Sequence, residues 1–457
     1  MNLPEVLLCQ SWWQLLLGRQ LLFQELPNEL QVFLQKTDYQ SWWPELVVVK
    51  GIEQVATGQW FCQRCFTEVP ATQKLATGAL YCTACLGLGR ISQRDQLVSL
   101  PIDQAFAKNN PLTWSGQLTQ QQAQVAKAIL AQFQNDSVSD QLLWAVTGAG
   151  KTEMIFPIIA AALQRGQRVA VVAPRLDVCN ELYPRLQQAF AKTSLILLHG
   201  QQHQTYYLAQ LVVATTHQLL RFKQAFDLLI IDEVDSFPFA GNQMLANAVR
   251  QALKPNGQRL FLSATPPSDL QRLSQRGQLP LHYLPQRFHG RNLPVPEILI
   301  TTIFKKTIFA PKVQRLFRYL FDQQRRWLVF VPQAAQLPRY QDAWQAAFPR
   351  VPVATVHAND PQRLAKVAAF RAGQGKVLFT TTILERGVTF NHIDVVILAA
   401  DHRQFSTSNL VQIAGRADRA FSGSRGHVYF CCQYYTWAIQ QACRQINHLN
   451  QVPTTKS

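Results

Sequence analysis

Hydrophobic and polar positions along the chain fall into two series. From about Leu118, short Val/Ile/Leu runs alternate with longer helical patterns: LLWAV at 142–146, RVAVVA at 168–173, LVVAT at 211–215, LLIID at 228–232 and RLFLSAT at 259–265. Continuously apolar runs of this length are strands buried on both faces, and their alternation with helices predicts βαβ units building a parallel sheet. Gly277, Pro280, Pro285, Gly290, Pro294 and Pro296 then crowd the segment 276–297. Helices cannot continue there, so a linker is expected. A second series follows with RWLVFV at 326–331, VATVH at 353–357, KVLFTTT at 376–382, DVVILAA at 394–400 and HVYFCC at 427–432. The fold class expected is α/β, with two parallel-sheet domains in tandem.

Composition adds a third piece. At about 100 to 200 residues per domain, 457 residues suit two large domains plus something smaller. With 47% hydrophobic, 10% aromatic and only 16% charged residues, the chain is not a disordered one. Lys and Arg outnumber Asp and Glu by 44 to 27, a net charge of +17 that suits a polyanionic partner, either nucleic acid or an anionic membrane surface. A membrane span is not expected, because even the longest uncharged stretch, between Arg425 and Arg444, is interrupted by His427, Gln433, Gln440 and Gln441. Glu5 before the first apolar run, with no small-residue cleavage site after it, argues against a secretory signal. The expected location is cytoplasmic. In a reducing compartment, nine cysteines are read for metal or packing and not as a disulfide framework.

Four of the nine are patterned. Cys62-Gln63-Arg64-Cys65 and Cys82-Thr83-Ala84-Cys85 are CxxC pairs 16 residues apart. Each turn offers two thiolates, and four complete a closed tetrahedral zinc shell with no position left for water, so Cys62, Cys65, Cys82 and Cys85 are expected to hold a structural zinc. Redox pairing or simple packing are the competing readings. Cys9, Cys179, Cys431, Cys432 and Cys443 lack such spacing and are expected in cores. The expected boundaries are an N-terminal region of unreadable role over 1–55, with its paired Trp12-Trp13 and Trp42-Trp43, and a zinc module over 56–92. A first large domain then spans 93–285 and a second 286–457. The zinc module and the large domains are expected to have separate cores.

The chemistry centres on LLWAV, which runs into Thr147-Gly148-Ala149-Gly150-Lys151-Thr152 and then a helical pattern. This is the setting of a phosphate-binding loop: glycines turn backbone N–H groups inward, Lys151 reaches the β and γ oxygens, Thr152 holds Mg²⁺ and the helix N-terminus faces the anion. Ala145 stands where the strict pattern has glycine. Asp232, ending LLIID, is placed to bind the metal, and Glu233 to polarise the attacking water. ATP and Mg²⁺ are the implied cofactors.

These residues resemble the superfamily-2 helicases from about 118 to 420. Leu118-Thr119 with Gln122 is similar to the adenine-reading Q motif, Thr147–Thr152 to motif I, Val172-Ala173-Pro174-Arg175 to motif Ia and Thr215-Thr216-His217 to motif Ib. Asp232–Asp235 is similar to motif II and Ser263-Ala264-Thr265 to motif III. Thr380–Thr382 with Glu385-Arg386-Gly387-Val388 is similar to motif V, and Gln412–Arg419 to motif VI. The resemblance implies two RecA-like domains, catalytic roles for Lys151, Asp232, Glu233, Arg416 and Arg419, and nucleotide contacts that include Gly387 and Gln412. Arg175, Thr216 and Thr382 become candidates for nucleic-acid phosphates. If the segment from 412 is helical, Gln412, Arg416 and Arg419 lie at i, i+4 and i+7 and share a face, so both arginines point at one anion.

Four cysteines before the first motor domain, with the second ending near the C-terminus, resemble the ComFA family of competence proteins. That resemblance implies an ATP-driven motor on single-stranded DNA at the inner face of the membrane, with the channel ComEC and the phosphoribosyltransferase-like ComFC as partners. The alternatives are a replication-restart helicase of the PriA type, a non-translocating ATP-gated clamp on nucleic acid, or an RNA-directed enzyme. In the PriA type the metal-binding cysteines follow the ATP motifs. Here they precede Lys151.

Overall fold

The computed structural model describes residues 3–36, 39–102, 105–108, 110–135, 140–200, 205–301, 309–322, 325–388, 390–417 and 426–451, without the side chains of 3–9, 36, 42 and 322. The chain forms two compact units, Met1–Leu143 with Thr152–His282, and Trp144–Lys151 with Tyr283–Ser457.

At the N-terminal end, strands β1 (Gln20–Leu22) and β2 (Val47–Lys50) both pair antiparallel with β5 (Gln96–Ser99), in the order β1-β5-β2. Between them in sequence, β3 (Ile52–Gln54) and β4 (Trp60–Cys62) make a short hairpin that leads into the first CxxC turn. The N-terminal sheet is therefore closed by a strand that follows the cysteine knuckle. Leu16, Leu21, Leu30, Trp43, Leu46 and Val98 are buried together behind it, with Trp13 edge-on to Trp43 at 6.0 Å.

The first large sheet has seven strands in the order β12-β6-β11-β10-β7-β9-β8. They are β6 (Asp140–Ala145), β7 (Val169–Ala173), β8 (Leu195–Leu198), β9 (Leu211–Thr215), β10 (Phe226–Ile231), β11 (Leu253–Ser263) and β12 (Leu281–Leu284). Every residue of β7 is fully buried, as double-faced burial of an apolar run requires. β12 lies inside the Pro/Gly-rich segment read as a linker, where Leu142 N–H and Val146 N–H bond to the carbonyls of Pro280 and Leu284. The cysteine knuckle does not have a core of its own. Cys62, Cys65, Val69, Leu80, Cys82 and Ile91 belong to one buried cluster with Val172, Val212, Phe222 and Ala248 of the large sheet and its helices. The expectation of separate cores is corrected on this point: a knuckle of under about 40 residues has too little apolar surface to bury alone, and it completes its core against the motor domain.

The second large sheet has six strands in the order β13-β18-β17-β14-β16-β15: β13 (Glu297–Ile300), β14 (Arg326–Phe330), β15 (Val353–Val356), β16 (Val377–Thr380), β17 (Ile393–Leu398) and β18 (Val428–Cys432). All its pairings are parallel. One face is sealed by Phe309, Phe317, Trp327, Trp344 and Phe379, with Phe317 and Trp344 rings 4.9 Å apart. Both large units are RecA-like parallel-sheet domains. Among the described residues no helix is long and apolar enough to cross a membrane.

Candidate nucleotide site and metal centre

The phosphate-binding loop leaves the end of β6. Gly148 and Gly150 stand at φ 82° and 76°, values that side chains with a Cβ rarely adopt, so the glycines are there for the turn. Ala149 and Thr147 are buried, and Lys151 Nζ donates to Ala145 O at 3.2 Å. The helix that follows is broken, Lys151–Met154 and then Phe156–Gln164. Pro157 explains the break, since it has no N–H for the carbonyl four residues earlier. Thr152 is buried and its Oγ1 accepts from Arg185 NH1 at 3.1 Å, while Arg185 NH2 contacts Glu153 Oε1 at 2.5 Å. Arg185 is a residue the motifs did not point to; it holds both side chains at the start of the helix.

Asp232 directly follows β10, which lies two places from β6 with β11 between them. Asp232 is buried, its N–H continues the ladder to Val172 O at 2.8 Å, and its Oδ1 accepts from Glu233 N–H at 2.8 Å. Glu233 stands at φ 54°, a left-handed conformation costing a non-glycine residue about 1–2 kcal/mol. Asp235, one turn on, accepts from Ser263 Oγ at 2.7 Å and Thr265 Oγ1 at 2.5 Å. Motifs II and III are thereby clasped across neighbouring parallel strands β10 and β11. Sequence reading placed both motifs but not this carboxylate-to-hydroxyl link.

Gln122 is buried and forms a reciprocal cap with Thr119: its Oε1 accepts from Thr119 N–H at 2.8 Å, and its N–H donates to Thr119 Oγ1 at 3.3 Å. Arg175 precedes the helix Leu176–Ala189 as its N-cap. Thr216 is fully buried at the start of the turn Thr216–Arg221, and its hydroxyl has no partner among the described residues. Thr382 follows β16 half-buried, and Gly387 stands at φ 70°.

The second unit, which holds the phosphate loop segment Trp144–Lys151, ties motif VI down from three sides. Thr147 Oγ1 donates to Gln412 Oε1 at 2.9 Å, and a Cβ on Gly415 would fall 2.8 Å from Thr147 Cβ, so glycine is required there. Arg287, buried, donates to Gly415 O at 2.9 Å and to Ala417 O at 3.0 Å. Arg416, also buried, gives its guanidinium to Glu385 O at 2.7 Å and to Val388 O, and Glu385 Oε2 accepts from Asn409 Nδ2 at 2.7 Å. Arg419 lies outside the described residues. The helix Thr407–Ala414 ends before Arg416, with Arg416 N–H turning to Ile413 O. For Arg416 the shared face expected from helical spacing is therefore corrected: the last turn tightens to i−3 bonds, and Arg416 points at the motif V backbone.

The four patterned cysteines come together. Their sulfurs all lie within 4.8 Å of one another, with Cys62 to Cys85 at 3.8 Å and Cys65 to Cys82 at 3.6 Å, and all four are buried. A tetrahedral ion with Zn–S bonds of about 2.3 Å sets its sulfurs about 3.8 Å apart, so the cluster fits zinc. Arg64 is fully buried beside it, with Nε donating to Cys85 Sγ at 3.4 Å and NH2 to Cys85 O at 3.3 Å. Burial works against its charge, but Cys85 together with Glu25 and Cys62 offsets this and raises its pKa. Hydrogen bonding from Cys62, then Cys82 and Cys85, pulls the Cys65 thiol far below the usual thiol range. Cys179, Cys431 and Cys432 are buried in cores as expected, whereas Cys443 is only half-buried, and burial pushes the Cys179 thiol up to about 12. The side chain of Cys9 lies outside the described residues.

Comparison with known proteins agrees with this geometry. Residues 119–273 match the DEAD/DEAH box helicase family, 311–421 the helicase conserved C-terminal domain and 9–99 the competence protein ComFA N-terminal domain. The chain is 39% identical over 398 residues to the competence protein ComFA of Streptococcus pneumoniae, covering 86% of this chain and 91% of that protein. It is 38% identical over 378 residues to the Bacillus subtilis protein of the same name, covering 82% and 81%. The replication restart protein PriA of Synechocystis matches at 26% over 268 residues, 54% of this chain and 31% of that protein. In fold, the DEAD-box helicase Mss116 bound to ssRNA superposes with a TM-score of 0.56 at 19% identity, over 69% of this chain and 70% of that one. The Mycobacterium smegmatis helicase Lhr superposes with a TM-score of 0.52 at 16% identity, over 73% of this chain and 50% of that one.

Proposed function

The chain belongs to the competence protein ComFA family, and on that premise we propose that it is an ATP-driven translocase on single-stranded DNA that draws transforming DNA into the cytosol. Its helicase regions make it an ATP-hydrolysing helicase or translocase associated with competence. The observation that carries the reading is the pairing, in one sheet, of a phosphate loop turned by two positive-φ glycines with a buried aspartate at the end of a strand two places away.

In this reading Lys151 takes the β and γ phosphates, Thr152 and Asp232 hold Mg²⁺, and Glu233 orients and deprotonates the attacking water. The bound ion supplies charge neutralisation at the phosphates. Gln122 reads adenine through the amide end of a side chain whose oxygen is committed to the cap. Gly387 and Gln412 contact the nucleotide. Arg419 stabilises the transition-state charge, and Arg416 positions motif V through its backbone carbonyls while adding to that field. Arg175, Thr216 and Thr382 contact strand phosphates, Thr216 through its backbone because its side chain is buried. The zinc is structural. The channel ComEC, the ComFC protein and the inner face of the membrane are the proposed surroundings.

The test is ATPase activity at fixed salt with single-stranded DNA, duplex DNA and RNA. Single strands should stimulate most, with little base preference between homopolymers and mixed sequence. Equal rates with and without DNA would refute strand-driven movement, and a preference for RNA would assign another substrate. A rate independent of strand length would favour an ATP-gated clamp.

A further inference from the structure

On the second large sheet, the helicase motifs occupy the loops after the strands. A separate cavity of 630 Å³ opens at the other end, where the four adjacent strands β17, β14, β16 and β15 begin. Its wall carries five basic side chains, Arg325, Arg326, Arg350, Lys376 and His392, and no acidic residue lines it.

Two of these form the floor. Arg325 Nε pairs with Asp394 Oδ2 at 2.9 Å, and that fully buried carboxylate also accepts from His427 N–H at 2.7 Å, so Asp394 is spent on Arg325 and the backbone. Arg326 is fixed by carbonyls, donating to Asn391 O at 2.6 Å and to Phe370 O. Carbonyls set its direction without cancelling its charge. The rim differs. Arg350, Lys376 and His392 are exposed, and among the described residues their side chains make no hydrogen bond or ion pair. Gly373 and Gly375, at φ 87° and 83°, bring the chain into β16 with no side chain over the opening; a Cβ on Gly373 would be 4.0 Å from Arg326 NH1. Three cationic side chains, Arg326, Arg350 and Lys376, thus face one hollow without a carboxylate between them.

We propose that this hollow is a second phosphate-binding site for the backbone of a single DNA strand, separate from the strand contacts of the motif loops. It rests on the reading of the chain as a single-strand motor. The chemistry selects phosphate groups: guanidinium forks and an ammonium grip them without reading sequence. Apart from the His392 imidazole no aromatic ring lines the cavity, and only Val351 and Pro352 are apolar there, so it offers little platform for bases and little surface for a peptide. Its concavity, with Arg325 only 11% exposed on the floor, suits phosphates entering one or two at a time better than a flat layer of lipid headgroups.

The experiment uses the full chain and the double variant Arg350→Ala with Lys376→Ala, both exposed and outside the core. A fluorescent oligothymidylate is titrated by anisotropy from 50 to 300 mM salt, ATP affinity is measured in parallel, and vesicles of phosphatidylglycerol form a third arm. Losing two phosphate contacts should flatten the slope of log K against log salt by about 1.4 and weaken binding roughly 60-fold at 50 mM salt, with ATP affinity unchanged. An unchanged slope overturns the proposal. A loss of vesicle binding with an unchanged DNA slope also overturns it and assigns the hollow to lipid. If the parent chain itself neither binds the oligonucleotide nor is stimulated by it, the single-strand reading fails and this site with it. A parent that binds and is stimulated, beside a variant that behaves identically, isolates the failure to the hollow.

Discussion

Replacing Cys82 with serine should remove the metal and loosen the entire first unit, and not the knuckle alone. Serine does not supply a thiolate, so three sulfurs are left for an ion that needs a closed four-sulfur shell. Structural zinc contributes an apparent 10–16 kcal/mol to the folding of isolated fingers, as much as the ~5–15 kcal/mol that holds a whole domain. The knuckle cannot absorb such a loss privately, because its cysteines share a buried cluster with Val172, Val212 and Phe222. Asn247 Nδ2, on the helix Gln243–Ala252, donates to Cys65 O at 3.1 Å, and Gln251 Nε2 to Gln20 Oε1 at 2.9 Å. Detaching the knuckle would bring Ile52, Leu80 and Ile91, now 1%, 4% and 0% exposed, back into water, a loss of about 5–9 kcal/mol at 1.5–3 kcal/mol each. Even about 3 kcal/mol transmitted to the unit lowers Tm by roughly 6–12 °C. Zinc content by mass spectrometry, with calorimetry of the same samples, makes the measurement. Cys179→Ser, at a buried cysteine outside the cluster, should keep its zinc. A Cys82→Ser variant that loses zinc yet melts with the parent would refute the shared core, and parent protein purified without chelator and found metal-free would refute the site.

The two acidic neighbours should separate: Asp232→Ala should bind Mg-ATP poorly, whereas Glu233→Gln should bind it and fail to turn it over in a single-turnover assay. Parental hydrolysis by Glu233→Gln would remove it as the base. Asp235→Asn exchanges one acceptor of the motif II–III clasp for an amide donor facing a hydroxyl, so DNA-stimulated turnover should fall roughly tenfold or more while ATP affinity holds, as one charged hydrogen bond is worth about 1.5–3 kcal/mol. Arg419→Ala should bind ATP and lose about 10³-fold in turnover, with lysine a poor substitute. Arg416→Ala should instead lower the melting temperature of the second unit, because the carbonyls of Glu385 and Val388 lose a buried donor; a variant as stable as the parent would contradict the clamp.

The apolar runs of the sequence found the two sheets because a buried strand has to be apolar on both faces, and the ten runs correspond to β6, β7, β9, β10, β11, β14, β15, β16, β17 and β18, although β11 begins at Leu253, before its run. β8, β12 and β13 escaped. LHYL in β12 carries a histidine and stands among prolines, and only its pairing with β6 makes it a strand. The four-cysteine cluster was legible because two cysteines in one turn can reach one ion from local geometry alone. The clasp at Asp235 and the role of Arg287 were not. Arg287 meets Gly415 and Ala417 some 130 residues away, and an isolated arginine in a Pro/Gly stretch carries no periodicity that points to a partner. The helical pattern expected to run on past Gln412 stops at Ala414 for a related reason: periodicity gives a face only while i−4 bonding continues, and where it stops is decided by what the last carbonyls find.

What they find, repeatedly, is arginine. Arg64 donates to Cys85 O, Arg168 to Ala209 O at 3.0 Å, Arg287 to Gly415 O and Ala417 O, and Arg416 to Glu385 O and Val388 O, and all four are 0–3% exposed. Loops that present catalytic groups leave carbonyls without ladder partners, and a buried carbonyl left unpaired is costly. A guanidinium with five donors in a fixed fork can satisfy two or three of them at once, which an ammonium cannot match in geometry. The arrangement uses charge as scaffolding, and it changes how the composition should be read. Part of the +17 is spent in the interior on backbone carbonyls and a cysteine sulfur, out of reach of any strand. The charge available to DNA is smaller and more local than the net figure implies, so a salt slope should track a few exposed contacts, such as Arg350 and Lys376, and not the basic residues as a whole.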